Sequence, residues 1–482
     1  MEESLKERTA KGLFWGTLNS TTTQVLNLAM GIVLARLLSP EDYGLVGVLT
    51  IFSAVAAMLQ SSGLGTGLIN LKQPTANDYN AVFWFNVIVS LFLYALLFLC
   101  APLIAGFFHQ ERLVILSRVL FITLPLSALS GAAGVYLQKN MMNREIAVIG
   151  ITSLIMSGIT AVVMASQGYS YWSLVGQQIV YAIALLIGRS VYVDWKPSLN
   201  IDFTPVKRMF GFCVKLLVTN IVNVINFHVL TFFFGRLLPI QTVGYYSQAN
   251  KWNNMAKTTI ADAIGQIAQP VLVSVTDETD REWRVFRKML RFTALLSFPA
   301  LFGLALVAQE FIIITIGEKW TESIPLLRII CIGGAFMPLY TLYQNLAISH
   351  GRSDIYMWCN ITQMIVQIAL VLLLYPYGIT TIVWGCTLLT LGWLAVWQIV
   401  VGRRTINLHF IDFFKDIVPF MSISLAVMVV TYYATLSISN MYLLLIARII
   451  IAAVLYVAAM KLTHAHVMDE CIAFIKMKLQ KR

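Results

Sequence analysis

The sequence reads Arg36-Leu37-Leu38-Ser39-Pro40-Glu41-Asp42-Tyr43-Gly44 at one point and Arg236-Leu237-Leu238-Pro239-Ile240-Gln241-Thr242-Val243-Gly244 at another, 200 residues later. The arginine, the two leucines and the closing glycine keep their places, and each stretch lies between two long apolar segments. Internal similarity at a fixed spacing is typical of a duplicated architecture. The pair therefore predicts that one half of the chain is a copy of the other.

The composition indicates that most of this chain is solvated by lipid. Of its 482 residues, 58% are hydrophobic and 12% are charged, whereas a soluble domain carries about 25% charged residues. Apolar runs of about 20 residues, the length of a membrane-spanning helix, recur along the whole chain. No signal peptide is evident. The predicted fold is an all-α polytopic membrane protein with about 14 transmembrane helices.

The spacing of the runs predicts how these helices are organised. Six spans separate equivalent points of the two halves, and because six is even the halves enter the membrane in the same direction. We expect two six-helix bundles related by a pseudo-twofold axis (1–195 and 209–404), a cytoplasmic linker (196–208), two further spans (405–462) and a basic cytoplasmic tail on the inner leaflet (463–482). The predicted spans are 13–37, 43–68, 81–106, 113–137, 146–166, 171–193, 209–236, 243–270, 290–316, 324–348, 355–375, 379–401, 413–436 and 441–462.

The net charge of +11 is interpreted as a topology signal and not as a nucleic-acid site. Most Lys and Arg residues, Arg189 among them, fall in alternate connections or at the adjoining helix ends, and short loops rich in these residues remain in the cytoplasm. Both termini are therefore predicted to be cytoplasmic. The opposite loops, such as 167–171 and 375–379, carry almost no basic residues.

Polar residues recur at helical spacing in two equivalent spans. They are Lys215, Thr219, Asn223 and Asn226 in the seventh span and Asn19, Thr23 and Asn27 in the first. Because a charge at the bilayer centre costs about 2.5–3.5 kcal/mol even on insertion scales, such faces must turn to protein or water. Two interpretations stay open: facing stripes that line a central cavity, or hydrogen bonds between helices.

The eighth span is unusually polar. Asn250, Asn253, Asn254 and Lys257 share one face at i, i+3, i+4 and i+7. Lys251 and Lys257 are candidate ligands for an anionic group within the membrane. Asp262 is interpreted either as the ion-pair partner of Lys251 or as a protonatable coupling site.

The remaining motifs have structural explanations beside functional ones. Arg36 and Arg236 end their spans on the outer side, where they either extend to the interface or ring the outer mouth. Ser39-Pro40-Glu41-Asp42 is typical of a helix N-cap. Gly63-Leu64-Gly65-Thr66-Gly67 superficially resembles a phosphate loop, but no strand precedes it, so close helix packing is predicted.

No pattern predicts a metal site, a cofactor or a disulfide. The six cysteines show no CxxC spacing and are interpreted as small core residues. His464 and His466 are interpreted as a chance pair in the tail.

The stretch from Lys11-Gly12-Leu13-Phe14-Trp15-Gly16 to Gly44 resembles the start of bacterial polysaccharide and lipid-linked oligosaccharide flippases. These belong to the multidrug/oligosaccharidyl-lipid/polysaccharide exporter superfamily, and the resemblance extends through Gly63-Leu64-Gly65 to the last span. It implies a central cavity lined by helices one, two, seven and eight. It also implies export of an undecaprenyl-pyrophosphate-linked sugar unit across the bacterial inner membrane by alternating access.

The resemblance further assigns roles and partners. It implies that Lys215, Lys251 and Lys257 hold the pyrophosphate, while the asparagines and threonines of the polar faces bind sugar. The expected partners are the lipid-linked oligosaccharide, membrane lipids, a polysaccharide polymerase with its export machinery, and a coupling cation (proton or sodium).

Three rival functions are compared with this prediction. A cation-coupled drug or metabolite exporter would use Asp262, but lysines facing the cavity would repel cationic drugs. A membrane glycosyltransferase or ligase would carry a sizeable extramembrane domain or an acidic catalytic loop, which the sequence lacks. A scaffold for polysaccharide assembly would not explain the polar faces. The sequence therefore predicts a transporter and not an enzyme.

Overall fold

The computed structural model describes residues 5–199 and 201–463, although the side chains of residues 5–13, 212, 215, 216 and 219 are not described. Every regular element in these ranges is helical, which confirms the predicted all-α fold. The predicted tail, with His464, His466 and Cys471, lies outside the described residues.

The chain divides into two compact units, Met1–Gly244 and Tyr245–Arg482. The helices of the first unit are α1 (Leu5–Leu37), α2 (Pro40–Ser61), α3 (Leu64–Asn70), α4 (Ala76–Phe108), α5 (Leu113–Leu120), α6 (Thr123–Lys139), α7 (Asn143–Ser166), α8 (Trp172–Tyr192) and α9 (Thr204–Leu237). Helix α9 joins this unit because it packs along α2, α3 and α4. The two units are defined by contacts, whereas the predicted repeat, whose second copy starts at residue 209, is defined by sequence similarity. The predicted boundaries of the two copies therefore stay a prediction.

Helix α10 (Ile240–Val275) begins at the end of the first unit and continues into the second. The other helices of the second unit are α11 (Thr279–Leu306), α12 (Ala308–Ile316), α13 (Ser323–Gly334), α14 (Met337–Ser349), α15 (Ser353–Leu374), α16 (Ile379–Trp397), α17 (Arg403–Ile406), α18 (Phe410–Ala434) and α19 (Met441–Leu462). Short 3₁₀ turns (Glu318–Trp320 and Tyr375–Tyr377) and a π-helical turn (Gln398–Gly402) complete the described elements.

Each of the fourteen predicted spans is helical, and eleven helical segments of the described chain are both long and apolar enough to cross a membrane. The other three predicted spans correspond to α1, α9 and α10. These helices have 33, 34 and 36 residues, so length does not exclude them; they are the helices that carry the predicted polar faces. Whether α1, α9 and α10 cross the membrane, and with it the total of fourteen spans, therefore stays a prediction.

Two equivalent spans are interrupted at the same place. The fourth span consists of α5 and α6, and the tenth consists of α13 and α14. Pro125 and Pro338 lie within the first three residues of α6 and α14. Because proline lacks an N–H group and clashes with the carbonyl four residues earlier, the preceding helix ends there. The shared interruption supports the predicted duplication.

The start of α2 is fixed by a capping box. The Ser39 side chain accepts a hydrogen bond from the backbone N–H of Asp42 (3.3 Å), and Asp42 Oδ2 accepts one from the backbone N–H of Ser39 (2.8 Å). Pro40 occupies the first helical position. The predicted N-cap is confirmed. The same turn also contacts its neighbours, because Glu41 pairs with Arg112 (3.0 Å) and Asp42 accepts a hydrogen bond from the Ser170 hydroxyl.

The two glycines that close the repeated stretches contact each other's stretch reciprocally. A Cβ added at Gly44 would overlap the backbone carbonyl of Ile240, and a Cβ added at Gly244 would overlap that of Pro40. These positions are equivalent in the repeat, since 40 corresponds to 240 and 44 to 244. The starts of α2 and α10 therefore touch backbone to backbone, which only glycine allows.

The glycine-rich segment after α2 is a helix junction, as predicted. Ser62 and Gly63 both adopt left-handed conformations and separate α2 from α3. A Cβ on Gly63 would lie 3.0 Å from the carbonyl oxygen of Cys213, and one on Gly67 would lie 3.0 Å from the Cys213 sulfur. The glycines thus let α3 pack closely on α9.

In the second unit, buried ion pairs hold α18 and α19 in place. The Asp416 carboxylate of α18 is fully buried and accepts hydrogen bonds from Arg287 (2.5 and 3.0 Å) and Arg291 (2.5 Å) of α11. Arg448 of α19 pairs with Glu310 of α12 at 2.7 Å, and both side chains are at most 6% exposed. The sequence analysis did not single out either pair.

Candidate functional site

A polar, partly open cavity of about 890 Å³ lies among α1, α6, α7 and α8 of the first unit. Ligand-binding cavities are typically about 300–1,000 Å³. The walls combine amide, hydroxyl and guanidinium groups with aliphatic side chains such as Ile149 and Leu154. Among apolar helices such a cavity has to be occupied by water or by a polar ligand.

Helix α1 contributes its predicted polar face to this cavity. Asn19, Thr23 and Asn27 all line it, because residues four apart lie one above the other on an α-helix. Asn19 Oδ1 is buried and has no hydrogen-bond partner among the described groups. This cavity belongs to the first unit and is not lined by the polar face of α9, so both interpretations of the two stripes, a central cavity or hydrogen bonds between helices, stay open.

Helix α8 supplies the facing wall with a pattern that the sequence analysis missed. Gln177, Tyr181, Leu185 and Arg189 follow each other at four-residue intervals and all line the cavity, together with Gln178. The signal was present in this spacing. It was overlooked because an arginine near the end of a span was taken as part of the topology pattern.

Arg189 is held in place by α6. Its Nη1 donates to the backbone carbonyl of Ser130 (3.2 Å) and to the Ser130 hydroxyl (3.1 Å). The guanidinium lies against the backbone at Gly134, where an added Cβ would come within 2.9 Å of Cζ and Nη1. Glycine at this position therefore creates the space that the guanidinium occupies.

In the second unit, the polar face of α10 packs partly into the bundle. Asn253 is 1% exposed and its side chain lies directly against Gly334 of α13. Asn250 and Asn254 are partly buried, and Asn254 Oδ1 is buried without a hydrogen-bond partner among the described groups. Asn253 Oδ1 likewise has no hydrogen-bond partner among the described groups, so this face packs against α13 without satisfying its amide oxygens.

Lys251 and Lys257 do not share a face of α10. Six residues of α-helix turn the side-chain direction by about 600°, so the two side chains leave the helix about 120° apart. Lys257 lies near Cys331 of α13, whereas Lys251 lies nearer to the exposed side that also carries Asp262. Both lysines are partly buried.

Comparison with known proteins places the chain in a family. Residues 33–325, well over half of the sequence, match the family of polysaccharide biosynthesis proteins. The chain belongs to this family.

Two relatives of this polysaccharide biosynthesis protein illustrate the similarity. The teichuronic acid biosynthesis protein TuaB of Bacillus subtilis is 24% identical over 444 residues, which is 90% of each chain. The succinoglycan biosynthesis transport protein ExoT of Rhizobium meliloti is 25% identical over 345 residues, covering 71% of this chain and 70% of the relative.

The fold is similar to that of a solved flippase. The lipid II flippase MurJ, in an inward closed conformation, matches 94% of this chain and all of its own with a TM-score of 0.74 at 15% identity. The predicted resemblance to polysaccharide biosynthesis proteins is confirmed by the family match, and the likeness to MurJ shows that the fold is shared. ExoT is named as a transport protein and MurJ as a flippase. The chain itself is a multi-pass membrane protein.

The predicted polar face of α9 is only partly visible. The backbone of Lys215 and Thr219 is helical, but their side chains lie outside the described part of the structure. Asn223 and Asn226 are partly buried. Two residues beyond Asn226, the His228 ring nitrogen Nδ1 lies 3.4 Å from the hydroxyl of Thr50 on α2. The role of this face in substrate binding stays a prediction.

Asp262 cannot be the direct ion-pair partner of Lys251. Both residues belong to the uninterrupted helix α10, and eleven residues of α-helix separate them by about 16 Å along the axis. Asp262 is exposed on the described surface of its unit. Of the two interpretations of Asp262, the coupling site remains as a hypothesis.

The paired arginines end their helices as predicted, and both are exposed. Arg236 of α9 contacts the His109 ring, and its guanidinium carbon lies 5.4 Å from the centre of the Phe107 ring. The aromatic contact stabilises a cation at the end of a span. Whether Arg36 and Arg236 also ring an outer mouth stays a prediction.

The cysteines behave as core residues where the structure describes them. Cys100, Cys213, Cys331, Cys359 and Cys386 are free thiols, and all except Cys100 are buried. Among the described residues, no group of three or more His, Cys, Asp or Glu side chains is arranged to hold a metal ion.

Proposed function

We propose that this protein is a flippase that moves an undecaprenyl-pyrophosphate-linked oligosaccharide outward across the bacterial inner membrane by alternating access, for surface polysaccharide biosynthesis. In this proposal both termini are cytoplasmic. Membership of the polysaccharide biosynthesis family supports the cargo class.

The observation that carries the proposal is the polar cavity between α1, α6, α7 and α8. Sugars present hydroxyl groups that both donate and accept hydrogen bonds, and the amides of Asn19, Gln138 and Gln177 have the same double capacity. A hydrocarbon environment offers no hydrogen-bond partners for the sugar hydroxyls or for these amides. A water-filled cavity of this kind therefore lowers the barrier to moving a sugar across the membrane.

The cationic side chains suit the phosphate end of the cargo. A pyrophosphate is strongly disfavoured in hydrocarbon, and lysine is a common point-charge ligand for phosphate. We assign this role to Lys215, Lys251 and Lys257, while the prenyl tail stays in the bilayer. The assigned lysines, together with the positive charge of Arg189 in the cavity, favour an anionic cargo over the cationic drugs of the alternative exporter.

The experiment that tests the proposal measures export in cells that carry Lys215→Ala, Lys251→Ala or Lys257→Ala. We expect surface polysaccharide to fall while the variant remains in the membrane at normal levels. Lipid-linked sugar should then accumulate on the inner leaflet, because synthesis continues without transport.

Arg404→Ala serves as the matched control. Arg404 is an exposed residue of α17, so the substitution removes one positive charge that does not belong to the three assigned lysines. Normal export in all three lysine variants would refute the cationic binding site. Loss of export without accumulation of lipid-linked sugar would instead place the defect before transport and contradict the flippase assignment.

A further inference from the structure

We infer that the cavity of the first unit binds an acidic sugar of the cargo, with the sugar carboxylate held by Arg189. This inference rests on the proposed flippase function and adds a specificity-determining residue and a substrate class to it. The pyrophosphate is assigned to other residues, so the two sites recognise different parts of one molecule.

The first argument is charge. Arg189 is the one charged side chain among the described residues that line the cavity, and no carboxylate lies there to neutralise it. The Arg189 side chain is partly buried, and a charge withdrawn from water without a counter-charge is unfavourable unless hydrogen bonds or a ligand compensate for it. A cation in this position therefore favours an anionic occupant.

The second argument is the geometry of the guanidinium. Its hydrogen bonds within the described structure use Nη1 alone, and both go to Ser130. Arginine carries five donors in a planar fork, of which two in parallel match the two oxygens of a carboxylate. The contact with Ser130 and the space left by Gly134 fix the plane of the fork beforehand.

The third argument is the wall around Arg189. Gln177, Gln178 and Tyr181 come from the same face of α8, and Gln138 and Asn143 come from the adjoining ends of α6 and α7. Amides and phenols both donate and accept hydrogen bonds, as sugar hydroxyls require. Across the cavity, Asn19 adds a further side-chain amide to the lining.

A single cation also distinguishes a carboxylate from a pyrophosphate. A pyrophosphate carries more than one negative charge, so one guanidinium would leave part of that charge uncompensated in a confined space. A carboxylate carries one charge and is matched by one bidentate fork. The cavity therefore suits the sugar part of the cargo and not its phosphate part.

The test measures binding to the full-length protein purified in detergent, using a matched pair of probes. Methyl glucuronoside and methyl glucoside differ only in the carboxylate at C6. We expect the glucuronoside to bind at least about tenfold more tightly, since hydrogen bonds to a charged group are worth roughly 1.5–3 kcal/mol. Equal affinity for the two probes would overturn the inference.

Three variants locate the effect. Arg189→Gln should abolish the preference for the glucuronoside, and Arg189→Lys, which keeps the charge but loses the fork, should reduce it several-fold. Arg118→Gln removes an arginine of the same unit that stacks on Phe98 outside the cavity, and it should leave the preference unchanged. A preference that survives in both Arg189 variants would overturn the assignment.

Inorganic pyrophosphate is the final probe. If it competes with the glucuronoside and this competition disappears in Arg189→Gln, then the cavity takes phosphate, and the acidic-sugar inference is wrong. Because all these readouts are binding preferences, their failure leaves the flippase proposal intact. That proposal fails separately, through loss of export without accumulation of lipid-linked sugar.

Discussion

At the scale of single residues, Gly44 and Gly244 show how a duplicated sequence imposes a reciprocal contact. Each glycine allows the backbone of the other stretch to approach within the space that a Cβ would fill. We predict that Gly44→Ala destabilises the purified protein by about 1–3 kcal/mol, because overpacking of backbone against backbone cannot be relieved by a side-chain rotation. Unfolding in SDS, followed by circular dichroism, measures the change.

Gly106→Ala is the matched control for this prediction. Gly106 is also a helical glycine of the first unit, but a Cβ added there meets no atom within 4 Å. Alanine is favoured over glycine within a helix by roughly 0.5–1 kcal/mol, so this variant should be as stable as the unmodified protein or slightly more stable. If the two variants unfold at the same SDS concentration, the close contact between the two repeated stretches does not stabilise the fold.

At the scale of helices, the sequence was informative about which face is polar and less informative about what that face meets. The spacing of Asn19, Thr23 and Asn27 predicted one face of α1, because periodicity is a local property. The opposite wall depends on Gly134 leaving space for Arg189, and this is a tertiary relation between α6 and α8. No local pattern contains it, so Arg189 was assigned to topology alone.

The docking of α18 depends on a charge cluster that was also invisible in the sequence. We predict that Asp416→Asn lowers the free energy of unfolding by about 3 kcal/mol, because it removes the buried carboxylate that Arg287 and Arg291 share and leaves Arg287 with only its longer pair to Asp412 (3.4 Å). Asp354→Asn is the control, since its pair with Arg352 is more than half exposed on both sides and should contribute no more than about 1 kcal/mol. The same unfolding assay applies, and equal effects in the two variants would show that the buried cluster does not stabilise the fold.

At the scale of the whole molecule, the helical segments and their order follow from composition, and the repeat follows from two short stretches. The number of membrane crossings is open, because α1, α9 and α10 are too polar to be recognised as membrane spans from hydropathy alone. Eleven crossings, the number that hydropathy alone supports in the described chain, is odd and would put the two ends of the chain on opposite sides. Fourteen is even and puts them on the same side. The conflict has a physical origin: a helix that faces a polar cavity needs fewer apolar residues than one that faces lipid on all sides.

We predict that the two ends lie on the same, cytoplasmic side, because α1, α9 and α10 cross the membrane with their polar faces turned to protein or water. Fusions of a fluorescent protein that folds only in the cytoplasm and of a phosphatase that is active only outside it, made separately at each end, measure the sidedness. Both ends should give fluorescence and no phosphatase activity. A phosphatase placed in the loop between α7 and α8, for instance after Tyr169, should be active and serves as the positive control. Phosphatase activity at one end alone would mean that an odd number of helices crosses the membrane, and at least one of α1, α9 and α10 would then have to lie outside it.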